Sequence, residues 1–203
     1  MTDSTVRAIS GCADLEITAV DRARAAINMR DSNARTYVEN LKKQWGNGVS
    51  TLCLVYNATG NTINYVRDHN FHGHIGPAPY PVKIENGQWG AFLHVKTSGA
   101  AAGSEAAVVY RGSNGQGTDC DLMMAWCNPW RRQRFDNSVW VKTREVDHFA
   151  RYTPAKWQSL YKKLDVTRYH HSDSWKGRLS IISTGSDTSP IMETIFTLEA
   201  ANA

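Results

Sequence analysis

The chain has 203 residues, of which 41% are hydrophobic and 21% charged, a composition typical of a soluble globular protein with a proper core. Its formal net charge is only +4, so the composition does not call for nucleic acid as a partner. No apolar run approaches the roughly 20 residues of a membrane-spanning helix, and the first residues lack the pattern of a secretory signal.

The N-terminal part of the chain has a helical pattern. We expect residues 1–17 to be a flexible N-terminus and residues 18–46 to be a helical segment, because apolar residues recur at helical spacing. The register slips across Arg30–Asn33, which predicts two helices or one broken helix. A basic amphipathic segment of this kind can lie on an anionic membrane. Its apolar face is rich in alanine, however, which favours packing against a sheet.

Residues 47–203 have the pattern of an antiparallel β-sandwich. Short β-rich runs are bounded by Gly, Pro, Asn or Ser, and the last run alternates between two faces. One helix interrupts the strands, beginning at Thr153-Pro154 and carrying an apolar stripe as far as Leu164. The predicted strands are Val49–Tyr56, Thr62–Arg67, Gly90–Val95, Glu105–Arg111, Asp121–Trp126, Ser138–Val146, Arg178–Ser183 and Ile191–Leu198.

The cysteines are too few and too scattered for a disulfide scaffold. They are Cys12, Cys53, Cys120 and Cys127. We interpret them as reduced thiols of a cytoplasmic protein. A link between Cys120 and Cys127, which are the only close pair, stays open as an alternative.

A histidine cluster is the first candidate for chemistry. His69, His72 and His74 lie within six residues, and Asp68 precedes them as a fourth ligand or supporting partner for a transition metal. The spacing matches no defined metal motif, and Ile-Gly-Pro-Ala-Pro follows it. We therefore favour hydrogen-bonding loop histidines and predict no metal and no other cofactor.

Sequence motifs of catalysis are missing from the chain. It contains no nucleophile elbow, P-loop, zinc-protease helix or dinucleotide fingerprint. Gly112–Gly117 resembles a phosphate-binding loop, but a strand rather than a helix follows it, so the dipole of a helix N-terminus is missing. We expect a hairpin tip there and a protein that is not an enzyme.

The segment Trp126–Phe135 has an unusual aromatic and basic composition. Pro129 cannot lie in a central strand, so the chain must turn there. Tryptophan faces bind cations, sugars or the lipid interface, and arginine forks bind phosphate or carboxylate. The two tryptophans, Trp126 and Trp130, are therefore either recognition residues or core anchors, and the sequence leaves both interpretations open.

Several longer motifs resemble the plant 23 kDa jasmonate-induced proteins, over most of the chain. The resemblance implies a plant protein that accumulates under stress or wound-hormone signalling, without an established catalytic activity. The motifs are Arg35–Leu54, Asn57–Gly60, Asp68–Ile75, Asn86–His94 and Gly99–Gly112.

A more distant likeness connects the chain with aegerolysins and actinoporins. Gly103–Ala106 and Cys127–Trp130 are similar to the G-T-E-G and C-P-W segments of aegerolysins. These families imply a small lipid-binding or pore-forming β-sandwich. The chain departs from the pattern because Asn128 separates Cys127 from Pro129 and because N-terminal helices are added.

The sequence therefore predicts a mainly β protein: an antiparallel, aegerolysin- or actinoporin-like sandwich with an N-terminal helical segment and one inserted helix. We expect a non-enzymatic stress or defence protein that binds membrane lipid through aromatic loops, in its strongest form a cytolytic or insecticidal pore former. Self-assembly stays open. The expected ligand-binding residues are Tyr80, Trp89, Trp126 and Trp130, with Arg131, Arg132 and Arg134 as anion contacts.

Two alternatives compete with lipid binding. The first is a glycan-binding, lectin-like protein that uses the same aromatic residues. The second is a metal-dependent enzyme that uses His69, His72 and His74. Both stay open as alternatives to lipid binding, which is the interpretation that we favour.

Overall fold

Helices occur at the start of the chain and strands in the rest of it, broadly as the sequence predicts. The computed structural model describes residues 1–10, 16–31, 33–131 and 136–202. The helices are α1 (Asp3–Ser10), α2 (Ala19–Asn28), α3 (Asn33–Trp45) and α4 (Pro154–Leu164), with a 3₁₀ helix at Glu199–Ala201. The strands are β1 (Ser50–Ala58), β2 (Ile63–His72), β3 (His74–Ile75), β4 (Lys83–Ile84), β5 (Gln88–Val95), β6 (Ser104–Ser113), β7 (Asp119–Asn128), β8 (Ser138–Glu145), β9 (His170–Trp175), β10 (Arg178–Thr184) and β11 (Ile191–Leu198).

The strands form two sheets, which pack face to face as a sandwich. In the described ranges, sheet A has six strands in the order β3-β5-β1-β11-β10-β9, and sheet B has five in the order β4-β2-β6-β7-β8. All neighbours are antiparallel except β1 and β11, which run parallel. A long stretch of chain separates these two strands, so no tight hairpin forces them to be antiparallel. The expectation of an antiparallel sandwich is thus confirmed with one parallel pair.

The central strands of sheet B are buried on both faces. Almost every residue of β6 and β7 is buried, including residues that alternate toward opposite sides of the sheet. The inward side chains meet sheet A in the main hydrophobic core. The outward side chains pack under α4 in a second core, where Trp157, Leu160 and Leu164 are the buried residues of the helix. Double burial explains why β6 and β7 are nearly continuous apolar runs.

The N-terminal helices cover the outer face of sheet A. Val38 and Leu41 of α3 pack on β1 and β5 in one cluster, and Ala26 of α2 packs on Tyr56 in another. Thr18 caps α2 with the predicted capping box, in which Asp21 takes the position of the usual glutamate. This segment packs against sheet A, and the register slip separates two helices. Among the described residues, no helix is long and apolar enough to cross a bilayer.

Three local features differ from the sequence prediction. Asp3–Ser10 is helical rather than flexible, and an ion pair between Asp3 and Arg22 ties it to α2. Strand β2 continues five residues beyond Arg67 because β6 pairs with it throughout. Strand β9 is an additional edge strand that the sequence pattern did not predict.

The cysteines that the structure describes are free thiols, as the sequence interpretation favoured. Cys120 and Cys127 are both buried free thiols, and they lie seven residues apart on one straight strand. That separation is roughly 23 Å, and their side chains point to opposite faces, so they do not pair. Cys53 is also a buried free thiol, and Cys12 lies outside the described residues.

A buried polar chain joins the two sheets at one end of the sandwich. His94 of sheet A is fully buried, and its Nδ1 lies 2.9 Å from the Ser104 hydroxyl of sheet B. The Nε2 of His94 lies 2.9 Å from Oδ1 of Asn70, and the Ser104 hydroxyl donates a hydrogen bond of 3.0 Å to the His94 carbonyl oxygen. Burial, with a smaller contribution from the charge of His74, lowers the pKa of His94 from 6.5 to about 3. The neutral ring is therefore the form that the fold accommodates.

Acid should destabilise the protein through His94. In the unfolded chain this imidazole takes up a proton near pH 6.5, whereas in the folded chain it resists protonation down to about pH 3. The unfolded state therefore binds more protons in this window, so stability is lost as the pH falls through it, by up to about 1.4 kcal/mol per pH unit. Urea unfolding at a series of pH values measures the slope.

The variant His94→Gln isolates the contribution of this side chain. It lacks the titrating ring, so its free energy of unfolding should depend less steeply on pH than that of the parent chain between about pH 6.5 and pH 3. The carboxylates titrate equally in both proteins, so their contribution to the pH dependence cancels in the comparison. Equal slopes in the two proteins would contradict the assignment.

Candidate functional site

A cleft of about 350 Å³ opens where β7 ends, beside the indole of Trp130. Pro129 stops the strand, and Trp130 follows it with 45% of its surface exposed, an unusual state for so large an apolar side chain. We call this the Trp130 cleft. Its chemically distinctive lining residues are His72, Gly103, Glu105, Trp130, Arg131, Tyr161 and Asp165.

A buried carboxylate forms the floor of the Trp130 cleft. Glu105 of β6 is only 4% exposed, and its Oε2 accepts a hydrogen bond of 2.7 Å from the Tyr161 hydroxyl. The Nδ1 of His72 lies 2.6 Å from the same oxygen. Glu105 pairs with His72 on one neighbouring strand and with Cys127 on the other, so these three side chains lie side by side on the outer face of sheet B. Buried carboxylates require such partners.

Gly103 makes room for this carboxylate. A Cβ at this position would lie 2.4 Å from the Asn128 carbonyl oxygen and 2.4 Å from Oε1 of Glu105. Real side chains do not approach so closely, so only glycine lets the backbone and the carboxylate meet here. The sequence Gly103-Ser104-Glu105 is thus explained by packing at the mouth of the cleft.

The two protonated groups at the floor are held neutral. Burial and the hydrogen bond to Glu105 raise the pKa of Tyr161. Burial, followed by the charge of Glu105, raises the pKa of the Cys127 thiol. The thiolate is the nucleophilic form of cysteine, so Cys127 is chemically inert in this environment.

The rim of the cleft combines charge with an aromatic face. The Lys96 ammonium lies 4.8 Å from the centre of the Trp130 ring. Arg131 and Asp165 line the same cleft and are exposed. An aromatic face beside carboxylates attracts a cationic group, and the half-buried Lys96 and the exposed Arg131 attract an anionic one. The arrangement can therefore contact both signs of charge within one small ligand.

The structure separates the two tryptophans of the aromatic segment. Trp126 is 1% exposed and points between the sheets, where its ring meets Phe92 and His94 at centroid distances of 6.1 and 5.2 Å. The expectation that Trp126 contacts a ligand is therefore wrong, because its position in β7 alternates toward the core. Trp130 lies beyond the end of β7, so the alternation of side chains along the strand does not determine its orientation.

The other predicted contacts lie elsewhere or outside the described residues. Tyr80 packs against the main core and stacks on Tyr65, with the two ring centroids 5.5 Å apart, and its hydroxyl is buried. Trp89 packs on Tyr56 below α2 and α3 and donates from Nε1 to the Asp31 carbonyl. Neither residue joins the Trp130 cleft, whereas Arg131 does. The predicted anion contacts Arg132 and Arg134 lie outside the described residues.

The three clustered histidines point to different surroundings. His69 stacks on Trp157 at 4.3 Å, His72 faces Glu105, and Nδ1 of His74 hydrogen-bonds the Ile75 carbonyl. Gly73 turns the chain between His72 and His74 with φ +89°, which breaks the extended strand that would have aligned them. Among the described residues, no three His, Cys, Asp or Glu side chains form a group that could hold a metal.

Sequence reasoning missed Glu105 and Tyr161 as members of a site. The available signal was a lone glutamate within the otherwise apolar run of β6, Ser104–Val109, because a buried charge needs a partner. Tyr161 could only be interpreted as part of the apolar stripe of α4, since nothing local indicates which strand the helix covers.

Comparison with known proteins identifies the family. The family model described as Nakanori-like protein matches residues 2–200. The chain belongs to the Nakanori-like family. The 23 kDa jasmonate-induced protein of Hordeum vulgare is 42% identical over 172 residues, which cover 83% of this chain and 80% of the relative. A jasmonate-induced protein homolog of Atriplex canescens is 28% identical over 148 residues, or 70% and 77%.

A solved structure confirms the fold of this Nakanori-like chain. The crystal structure of the lipid binding protein Nakanori superposes with a TM-score of 0.84 and 30% sequence identity, over 96% of this chain and 95% of the other. The predicted relationship to jasmonate-induced proteins and the predicted β-sandwich are therefore confirmed. The likeness to aegerolysins stays a prediction.

Replacing Gly103 should destabilise the Nakanori-like fold. In Gly103→Ala the new methyl group clashes with the Asn128 carbonyl and the Glu105 carboxylate, so the free energy of unfolding should fall by about 1–3 kcal/mol. Gly185→Ala is the matched control, because its Cβ would meet only Pro190 at an ordinary 3.7 Å. Urea unfolding compares the two variants. Equal stabilities would show that the close approach at Gly103 is unimportant.

Proposed function

We propose that this chain is a non-enzymatic plant stress protein that binds membrane lipid through the Trp130 cleft. The half-exposed indole beside a buried carboxylate is the observation that carries the proposal. Membership of the Nakanori-like family supports it, because the solved relative is described as a lipid binding protein. The jasmonate-induced relatives support the role in stress.

Exposed apolar side chains near the cleft suit contact with a bilayer. An indole prefers the boundary between lipid headgroups and acyl chains, since its body is apolar and its N–H is polar. Val166 is 80% exposed and lines a second depression that shares Cys127 and Asp165 with the Trp130 cleft. Trp130 and Val166 therefore present apolar surface at the same end of sheet B.

The polar lining suits a zwitterionic headgroup. Glu105, Asp165 and the faces of Trp130 and Tyr161 would surround a cationic group such as a quaternary ammonium. Arg131 and Lys96 at the rim would contact the phosphate of the same headgroup. We therefore propose phosphatidylcholine-type headgroups in preference to purely anionic ones.

Binding without catalysis is supported by the state of the cleft's titratable groups. Cys127 and Tyr161 have raised pKa values and stay protonated, so neither is an activated nucleophile. The three described cysteines are buried free thiols, which suits the proposed location in the reducing cytoplasm. Pore formation and cytolytic or insecticidal activity stay predictions.

Removing the exposed indole should weaken vesicle binding. Burying the exposed part of Trp130 in a bilayer contributes about 2 kcal/mol, so Trp130→Ala should weaken binding to phosphatidylcholine vesicles roughly thirtyfold. Tyr37→Ala is the control, because Tyr37 is 50% exposed but belongs to α3 on the other side of the sandwich. Sedimentation with vesicles at increasing lipid concentration measures both variants.

Two outcomes would overturn the proposal. Equal binding by Trp130→Ala and the parent chain would remove the cleft from the interaction. Failure to bind any vesicle, together with retention on a glycan array, would replace lipid binding with the glycan-binding alternative. Phosphatidylglycerol vesicles test the headgroup preference, since they lack the cationic group.

A further inference from the structure

A second cavity, of about 260 Å³, lies between α4 and the edge strand β8. It shares no lining residue with the Trp130 cleft. Its floor is the outer face of β8, one wall is α4, and the other wall is the turn that precedes the helix. We call it the lysine cavity, and the residues on which its chemistry depends are Trp140, Lys142, His148, Tyr152, Lys156 and Lys163.

The lysine cavity concentrates positive charge. Lys156 and Lys163 are seven residues apart on α4, and so lie on the same side of the helix, while Lys142 faces them from β8. The two carboxylates whose charges act on Lys142 are already engaged: Glu145 pairs with His148 at 2.9 Å, and Asp173 pairs with Arg144 at 3.2 Å. Among the described residues, none of the three lysines forms an ion pair.

Aromatic rings and partial burial shape the cavity further. The Lys163 ammonium lies 5.4 Å from the centre of the Trp140 ring, and the Lys156 ammonium lies 5.8 Å from that of Tyr152. Burial, and then the charges of Arg144 and Lys163, lower the pKa of Lys142, against the weaker opposing effect of Asp173 and Glu145. A bound anion would remove this mutual repulsion.

We propose that the lysine cavity binds a multiply charged phosphate ester, either free or as the headgroup of an anionic lipid. Three ammonium groups face a bound phosphate from two sides. The single negative charge of a carboxylate ligand would not neutralise these three positive charges. Trp140 and Tyr152 line the cavity beside two of these ammonium groups and supply its apolar surface. The volume suits a small phosphorylated ring rather than a polymer.

Titration calorimetry with inositol trisphosphate tests the site. The parent chain should bind the probe near neutral pH, with an affinity that falls steeply as salt is added. Lys156→Gln/Lys163→Gln should weaken binding about tenfold or more, because two of the three charges are lost while glutamine preserves the exposed helix. The matched control is Lys43→Gln/Lys162→Gln, which removes the same net charge from exposed positions outside the cavity.

A second experiment, with vesicles, distinguishes a lipid headgroup from a soluble phosphate ester as the ligand. Vesicles of phosphatidylcholine doped with phosphatidylinositol bisphosphate present the same chemistry on a membrane. If doping strengthens binding in the parent chain but not in Lys156→Gln/Lys163→Gln, the ligand is a lipid headgroup. If only the free probe depends on these lysines, the ligand is a soluble phosphate.

Two results would contradict phosphate binding in the lysine cavity, and neither depends on Trp130. Equal weakening by the two double variants would reduce the effect to net charge and overturn the site, as would failure of the parent chain to bind the probe in either form. Trp130→Ala should bind inositol trisphosphate as the parent chain does, because Trp130 lies outside the cavity. Failure of phosphatidylcholine binding would leave this result unaffected.

Discussion

The packing of α4 against the outer face of sheet B is the interaction on which both candidate sites depend. Trp157, Leu160 and Leu164 bury the helix on the outward side chains of β6 and β7. Once that apolar stripe is fixed, the flanks of the helix are fixed with it. One flank brings Tyr161 to Glu105, and the other brings Lys163 to Trp140. The packing of this one helix therefore positions side chains of both candidate sites.

Strand alternation decides which residues of the aromatic segment are buried in the core and which reach the cleft. Along β7 the side chains alternate, so Trp126 enters the core while Cys127 enters the floor of the Trp130 cleft. The alternation ends at Pro129, and Trp130 projects beyond it with much of its surface exposed. The same principle separates Cys120 from Cys127. The position of the strand's last residue therefore matters more for function than the richness of the segment in tryptophan.

Much of the fold was predictable from local sequence, but the site was predictable only in part. Strands with apolar runs and helices with caps, such as α4 at Thr153-Pro154, carry their own signals. Strand β9 is polar on both faces and exists because β10 pairs with it across the turn at Lys176-Gly177, where both residues have positive φ. Trp130 was found from composition, whereas Glu105 and Tyr161 meet only through tertiary packing.

The small net charge of the chain conceals an ordered distribution of charge. Two carboxylates line the Trp130 cleft beside α4: Glu105 belongs to β6 below the helix, and Asp165 follows the last residue of the helix. Lysines lie on the flank that faces β8. Because a helix repeats every 3.6 residues, a spacing of three or four keeps like charges together and a shift of one residue moves them to another flank. One helix thus borders two cavities of different charge, and a total of +4 says nothing about either.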